Sequence, residues 1–151
     1  MSTNDPYDFS ARERDILRIV VGHIIPASAA YGLPGADDGA ILADILRSAW
    51  REGRKLHEAA AEIDAASGGT FATIPTGEQA TVLQRFREQH PGLARACEVV
   101  TARCYYRDDR VMRSIGMEVR PPFPLGFAVE PSELDLLEPV RQRGKIYRDA
   151  N

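Results

Sequence analysis

Cysteine and histidine are scarce in this chain, which has two cysteines and three histidines among 151 residues. Cys97 and Cys104 are seven positions apart, and if both are helical their Cα atoms lie about 10 Å apart, too far for a disulfide bond. We expect both to be small buried apolar side chains. His23, His57 and His90 are far apart in the sequence, and none belongs to an H-E-x-x-H motif. The sequence therefore predicts no metal site.

Glycine-rich phosphate-binding loops are missing as well. The sequence has neither a G-x-G-x-x-G motif nor a G-x-x-x-x-G-K-[ST] motif, the loops whose backbone amides hold nucleotide phosphates. Asp37 and Asp38 lack the ligand series of a calcium loop and are expected to cap a helix. No motif joins His23 to a nucleophile. We therefore expect a chain that binds no cofactor and catalyses no reaction on its own.

Positive charge is not in excess. The formal net charge is −3 and the isoelectric point is near 5.6. Proteins that bind nucleic acid usually present a basic face to the phosphates, and we expect no nucleic-acid partner. The nearest approach to a basic cluster is spread along the C-terminal residues Arg141, Arg143, Lys145 and Arg148.

Long hydrophobic runs are also missing. The longest, Ile16 to Ile25, is interrupted by Arg18 and His23 and ends at Pro26. It is too short and too polar to span a bilayer. The first residues show no basic segment, no twin arginine before an apolar stretch and no small-residue cleavage site. We expect a cytoplasmic protein without direct membrane insertion, and periplasmic export within a complex is the less favoured alternative.

Apolar residues recur at helical spacing along most of the chain. Hydrophobic residues make up 44% and charged residues 27% of the sequence, which suits one folded domain of this length. The spacing predicts five or six helices, and no alternation indicates strands. We therefore expect an all-α protein, an irregular helical bundle over about 10–116 followed by an extended proline-rich arm and tail over about 117–151.

Several helix ends are marked by specific residues. Ser10-Ala11-Arg12-Glu13 and Thr76-Gly77-Glu78-Gln79 both have the pattern of a capping box, in which side chains satisfy backbone amides of the first turn. Gly53 either breaks the second helix or only bends it. Residues 132–137 are expected to form a short helix that Pro139 interrupts.

Residues 121–127, with the sequence Pro-Pro-Phe-Pro-Leu-Gly-Phe, contain three prolines and two phenylalanines. Proline fixes φ and removes a backbone donor, so this segment cannot lie inside a helix or a central strand. We expect it to run extended, close to polyproline II, and to suit docking. Whether Phe123 and Phe127 pack on the chain's own helices or on another protein remains open.

Other aromatic residues are also candidates for partner contacts. Trp50 either packs in the core or lies at an interface, where tryptophan is enriched. Tyr105 and Tyr106 are about 100° apart on a helix, so one ring is expected in the core while its neighbour covers the next element. The full set of candidate partner-binding residues is Trp50, Tyr105, Tyr106, Pro122, Phe123, Pro124, Leu125 and Phe127.

An ordered set of short motifs resembles the gluconate 2-dehydrogenase subunit 3 family. In chain order the motifs are Leu17 through Ile24-Ile25-Pro26, Pro34-Gly35-Ala36, Gly69-x-Phe71, Ile74-Pro75-Thr76-Gly77-Glu78-Gln79, and Tyr105-Tyr106. No single motif is specific, and the resemblance rests on their order over nearly the whole chain.

This resemblance implies a small non-catalytic subunit that binds a flavin-dependent dehydrogenase of the glucose–methanol–choline type. The large subunit would carry FAD and oxidise a sugar or related alcohol, and the small one would help it fold. Many small subunits of this kind bring a twin-arginine signal, and this sequence departs from the pattern there, which favours a cytosolic complex. The alternatives are a small helical enzyme that uses His23 or a tyrosine, and a free-standing helical binding or regulatory module.

Overall fold

The computed structural model describes residues 8–121, 123–124, 126 and 134–144. Within these residues the protein is helical and has no strand, so the all-α prediction is confirmed. Contacts divide the chain into two units, Met1–Val119 and Arg120–Asn151, which are described separately. Of the candidate partner-binding residues, Pro122, Leu125 and Phe127 lie outside the described residues.

The described residues form seven α-helices, six of them in the first unit. These six are α1 (Ala11–Ile24), α2 (Gly39–Ser48), α3 (Gly53–Ala66), α4 (Thr76–Gln89), α5 (Pro91–Tyr105) and α6 (Asp109–Ser114). A 3₁₀ turn spans Ala29–Tyr31. The predicted bundle of five or six helices is confirmed by the six helices of the first unit, and the seventh helix belongs to the second unit. Gly53 begins α3, so it marks a break rather than a bend.

Helix α5 lies at the centre of the first unit and packs against α1, α2, α3 and α4. Its buried face carries Cys97, Val100 and Cys104, and both cysteines are free thiols, as expected. Burial raises the pKa of the Cys97 thiol to about 12, so it stays protonated and behaves as an apolar group. The apolar faces of the surrounding helices close over this helix and form one core.

The N-terminal end of α1 is a capping box, as predicted. The Ser10 hydroxyl accepts a hydrogen bond from the Glu13 amide at 3.3 Å, and the Glu13 carboxylate accepts one from the Ser10 amide at 2.8 Å. The Glu13 carboxylate also lies 2.7 Å from His57 Nδ1 on α3. The capping residue therefore also ties α1 to α3.

The second predicted capping box is wrong. Pro75 caps α4, and its carbonyl accepts hydrogen bonds from the amides of Glu78 and Gln79 at 2.9 and 3.0 Å. Proline has no backbone N–H, so the reciprocal bond of a capping box cannot form. The Gln79 side chain instead lies buried and donates to the Phe71 carbonyl at 3.2 Å.

The loop between α1 and α2 folds back on the end of α1. The Ala36 amide donates to the Ile25 carbonyl at 2.9 Å, and Ala36 is fully buried. A Cβ at Gly35 would lie 2.9 Å from the Ala27 amide nitrogen, closer than real Cβ contacts allow. Glycine is therefore required there by close backbone approach.

The second unit contains a 3₁₀ turn at Leu134–Leu137 and the short helix α7 (Glu138–Gln142). The expectation that Pro139 interrupts a helix is wrong, because Pro139 lies in the first turn of α7, where its missing N–H costs nothing. Phe123 and Pro124 form a turn, so the extended conformation predicted for residues 121–127 is wrong at these two positions. Proline and glycine are also the commonest turn residues.

Candidate partner-binding surface

Tyr105, at the C-terminal end of α5, is buried and joins two distant parts of the chain. Its side chain is 5% exposed, and its hydroxyl donates a hydrogen bond to the Pro34 carbonyl at 3.1 Å. Burial raises the pKa of this phenol above its ordinary value. Tyr105 is therefore the buried residue of the tyrosine pair. It can contribute to a partner-binding surface only by holding its neighbours in position.

Tyr106 is the exposed member of the pair, with 57% of its surface open to solvent. Its ring meets the Tyr105 ring edge-on, with centroids 5.4 Å apart and an interplanar angle of 89°. Such edge-to-face pairs are favourable and fix the relative orientation of the rings. The buried ring thus holds the exposed one in place.

Trp50 lies in the connection between α2 and α3 and is 59% exposed. Packing in the core is therefore wrong for this residue. Helix α2 ends at Ser48, and Ala49 fills the buried position beside it, so Trp50 falls outside the apolar face that the helical spacing suggested. The Arg51 guanidinium lies 4.2 Å from the centre of the indole ring, a cation–π geometry that favours one orientation of the ring.

Arg103 on α5 brings the Trp50 connection close to Tyr106. Its guanidinium donates to the Ser48 carbonyl at 3.1 Å and to the Glu52 carboxylate at 3.1 Å, the residues two positions before and two after Trp50. Arg103 itself precedes Tyr106 by one helical turn. Val99, also exposed, lies two turns before Tyr106 on the same helix face. We call Trp50, Val99 and Tyr106 the aromatic surface.

Two further arginines extend the contacts of Arg103 along one edge of the bundle. Arg107 donates to Asp44 at 2.6 Å and also contacts the Ser48 hydroxyl. Asp44 and Ser48 lie on α2, so Arg107 joins the C-terminal end of α5 to that helix. Hydrogen bonding to Arg107 lowers the pKa of the Asp44 carboxyl. We call Arg103, Arg107 and Arg110 the arginine row.

Arg110 completes the arginine row by linking α6 to the N-terminal end of α2. It donates to Asp38 at 2.8 Å and to Asp108 at 3.0 Å, and both carboxylates also cap helices. The guanidinium lowers the pKa of Asp38 to about 2. Because Asp38 and Asp108 are N-caps, Arg110 fixes two helix starts at once.

Phe123, in the second unit, is 83% exposed. Phe123 and Pro124 are the two candidate partner-binding residues of the proline-rich arm that lie in the described part of the chain.

Two of the histidines lie in different settings. His23 is exposed in the last turn of α1. His57 stacks on the buried Phe9 ring at 4.3 Å and contacts Glu13 as described above. No local sequence pattern assigns His57 a structural role, because its partners are 44 or more positions away.

The sequence pattern also did not predict the arginine row. The four-residue spacing of Arg103 and Arg107 is that of two residues on one side of a helix, although Arg107 lies just beyond the end of α5. Their acidic partners are 51 and 63 positions earlier, so the sequence spacing alone does not pair them.

Among the described residues, no helix is long and apolar enough to cross a membrane. Within the same residues, no group of three or more His, Cys, Asp or Glu side chains could hold a metal ion.

No family model matches the chain, and comparison with curated proteins and with solved structures gives no match.

Proposed function

We propose that this chain is a non-catalytic small subunit that binds, and helps to fold, the FAD-containing large subunit of a sugar or alcohol dehydrogenase. The large subunit supplies the flavin and the catalytic groups. This chain supplies a rigid helical surface. The proposal takes the kind of partner from the ordered motifs that resemble the gluconate 2-dehydrogenase subunit 3 family, and it takes the binding mode from the exposed aromatic residues.

The motifs behind the resemblance have structural roles in this chain. Pro34 contacts Tyr105 through the hydrogen bond to the tyrosine hydroxyl, although the two residues are 71 positions apart. Phe71 and Gln79 are joined in the same way, by a side-chain amide and a carbonyl. Two pairs of these motifs, which are separated in the sequence, are therefore in contact in the folded chain. Their order along the chain fits one arrangement of the helices.

The observation that carries the proposal is the exposure of two large aromatic side chains that are both held in place. Trp50 and Tyr106 are each more than half exposed, and tryptophan and tyrosine are the residues most often found as anchors in protein interfaces. Exposed aromatic rings that are already ordered lose little entropy when a partner covers them. A surface of this kind suits a stable subunit contact.

Stabilisation of the large subunit follows from linkage. A subunit that binds the folded large chain and not its unfolded form shifts the folding equilibrium by RT ln(1 + [L]/Kd), about 2.7 kcal/mol at one hundred times Kd. The salt bridges of the arginine row hold α2, α5 and α6 in place relative to one another while a partner covers the aromatic surface. The small subunit can therefore act without any catalytic residue of its own.

The test is copurification. The tagged chain is expressed together with the protein encoded beside it in the genome, which the proposal expects to be a large flavoprotein. The purified material is examined for a second band and for flavin absorbance. The proposal predicts an equimolar complex with one FAD on the large chain, while this chain purified alone is colourless. A free-standing helical module would purify without a large partner, and that result contradicts the proposal.

A further inference from the structure

A cleft between α1, α4 and α5 lies apart from the aromatic surface. Its volume is about 140 Å³, close to the roughly 150 Å³ of an apolar protein cavity known to admit benzene. The walls are largely apolar side chains from all three helices: Val20, Ile24, Leu83, Phe86 and Ala94. The size and lining suit one aromatic ring or a branched aliphatic group.

One of the two charged groups at the cleft, Arg87, is available to a negative ligand. Arg87 and Glu98 both line it, but their ion pair is long at 3.9 Å, and Glu98 also lies 3.5 Å from Arg95. Glu98 is thus shared by two guanidinium groups, which leaves Arg87 only weakly paired. Arg87 is also well exposed, so its side chain can turn toward a carboxylate at the cleft mouth.

Two polar side chains complete the mouth of the cleft. The exposed His23 at the end of α1 brings an imidazole that can donate a hydrogen bond. Gln84 also lines the cleft, with its amide nitrogen 2.7 Å from the Glu88 carboxylate, which holds this side chain along α4. Apolar walls with a few polar groups at one end are the usual design of a small-molecule site.

We propose that this cleft binds a small carboxylic acid with an aromatic or branched apolar body, the body between Leu83 and Ile24 and the carboxylate at Arg87. This inference does not depend on the proposed subunit function, because the cleft shares no residue with the aromatic surface. The ligand is a free small molecule rather than a protein side chain.

The experiment is a titration of the full chain with benzoate, followed by methyl NMR. Binding shifts the methyl signals of Val20, Ile24 and Leu83 and leaves Ile45, a buried residue of α2 outside the cleft, unmoved. For a ligand this small the expected Kd is on the order of 1 mM. Benzylamine, which has the same ring and a positive charge, should bind at least about fivefold more weakly.

Two variant pairs make the test specific. Ala80→Trp places a ring at the cleft from an exposed position and should abolish benzoate binding, whereas Thr81→Trp, also exposed on α4 but outside the cleft, should preserve it. Arg87→Met should weaken benzoate about fivefold and leave benzylamine unchanged, and Arg85→Met serves as the control on the same helix. Thermal unfolding of each variant shows whether it remains folded.

Several results would overturn the proposal. They are the absence of cleft methyl shifts with benzoate, equal or tighter binding of benzylamine, and unchanged binding in a folded Ala80→Trp variant. Tighter binding of the neutral N-acetyl-phenylalaninamide than of benzoate would also overturn it, since the cleft would then prefer a protein side chain to a free acid.

Discussion

The Tyr105 hydroxyl donates a hydrogen bond to the Pro34 carbonyl across 3.1 Å, and through it the end of the central helix is joined to the loop that precedes α2. The same residue holds the exposed ring of Tyr106 edge-on. One buried phenol therefore connects the fold of the bundle to the surface that we propose for the partner.

Replacing Tyr105 with phenylalanine tests this connection. The variant removes the hydroxyl and leaves the Pro34 carbonyl without that donor, so the free energy of unfolding should fall by about 1 kcal/mol. Urea unfolding of the isolated chain measures the change. Tyr106→Phe is the matched control and should alter stability by less than about 0.5 kcal/mol, because its ring is exposed. Equal losses in the two variants would show that the hydrogen bond has no special role.

The Asp38–Arg110 pair predicts a pH dependence of stability. Arg110 lowers the pKa of Asp38 from 3.8 to about 2 in the folded chain, so the stabilisation is present above pH 4 and is lost as the pH falls through about 2. Asp38→Asn keeps a good helix cap but removes the charge. It should cost about 1 kcal/mol at neutral pH, and the difference from the unmodified chain should shrink as the pH falls from 4 to about 2 and vanish below that.

The control for that experiment is Asp109→Asn. Asp109 pairs with Arg113 at 3.3 Å, but both side chains are about 60% exposed, and such pairs contribute little. Urea unfolding of both variants across the same pH range separates the two cases. A difference for Asp38→Asn that persists unchanged in acid would contradict the assigned ion pair.

Local signals in the sequence were enough for the fold class and for several helix ends. Ser10 and Glu13 are three residues apart and form their capping box without help from the rest of the chain. The same reasoning failed at Thr76, because the preceding proline took the capping position. Trp50 was also misplaced, since the helical pattern did not show that α2 ends at Ser48.

Most of the candidate site depends on contacts between residues that are distant in the sequence. The acidic partners of Arg103 and Arg107, and the Asp38 partner of Arg110, are 51 to 72 positions away, and no local pattern identifies these distant pairs. The alternation between Tyr105 and Tyr106 could be predicted, because adjacent helical residues point in directions about 100° apart. Only the structure shows which of the two rings is buried.

The aromatic surface makes a prediction about the complex. Truncating Trp50 or Tyr106 to alanine should weaken association with the large subunit by about 2–4 kcal/mol, as expected for a central aromatic anchor. Tyr31→Ala is the control, since Tyr31 is 79% exposed but lies in the 3₁₀ turn before α2. The measurement is the amount of flavoprotein retained by each tagged variant. If the Trp50→Ala and Tyr106→Ala variants both retain the normal amount of flavoprotein, the interface lies elsewhere on the chain.

The arm makes a separate prediction, taken from the sequence. Phe123→Ala and Phe127→Ala should weaken the complex strongly, Pro122→Ala mildly and Arg143→Ala hardly at all, because rim charges contribute little. Copurified flavin activity measures the effect, and circular dichroism checks that the variants keep their helices. Wild-type activity with both phenylalanine variants would mean that these rings do not contact the large subunit.

The yield of folded, FAD-loaded large subunit, measured by flavin absorbance in the soluble fraction with and without coexpression of this chain, tests the central claim most directly. The account predicts that the loaded large subunit accumulates only when the small chain is present, and that the Trp50→Ala/Tyr106→Ala double variant reduces this yield while Tyr31→Ala does not. An equal yield of active, flavin-loaded large subunit in the absence of this chain would contradict the account.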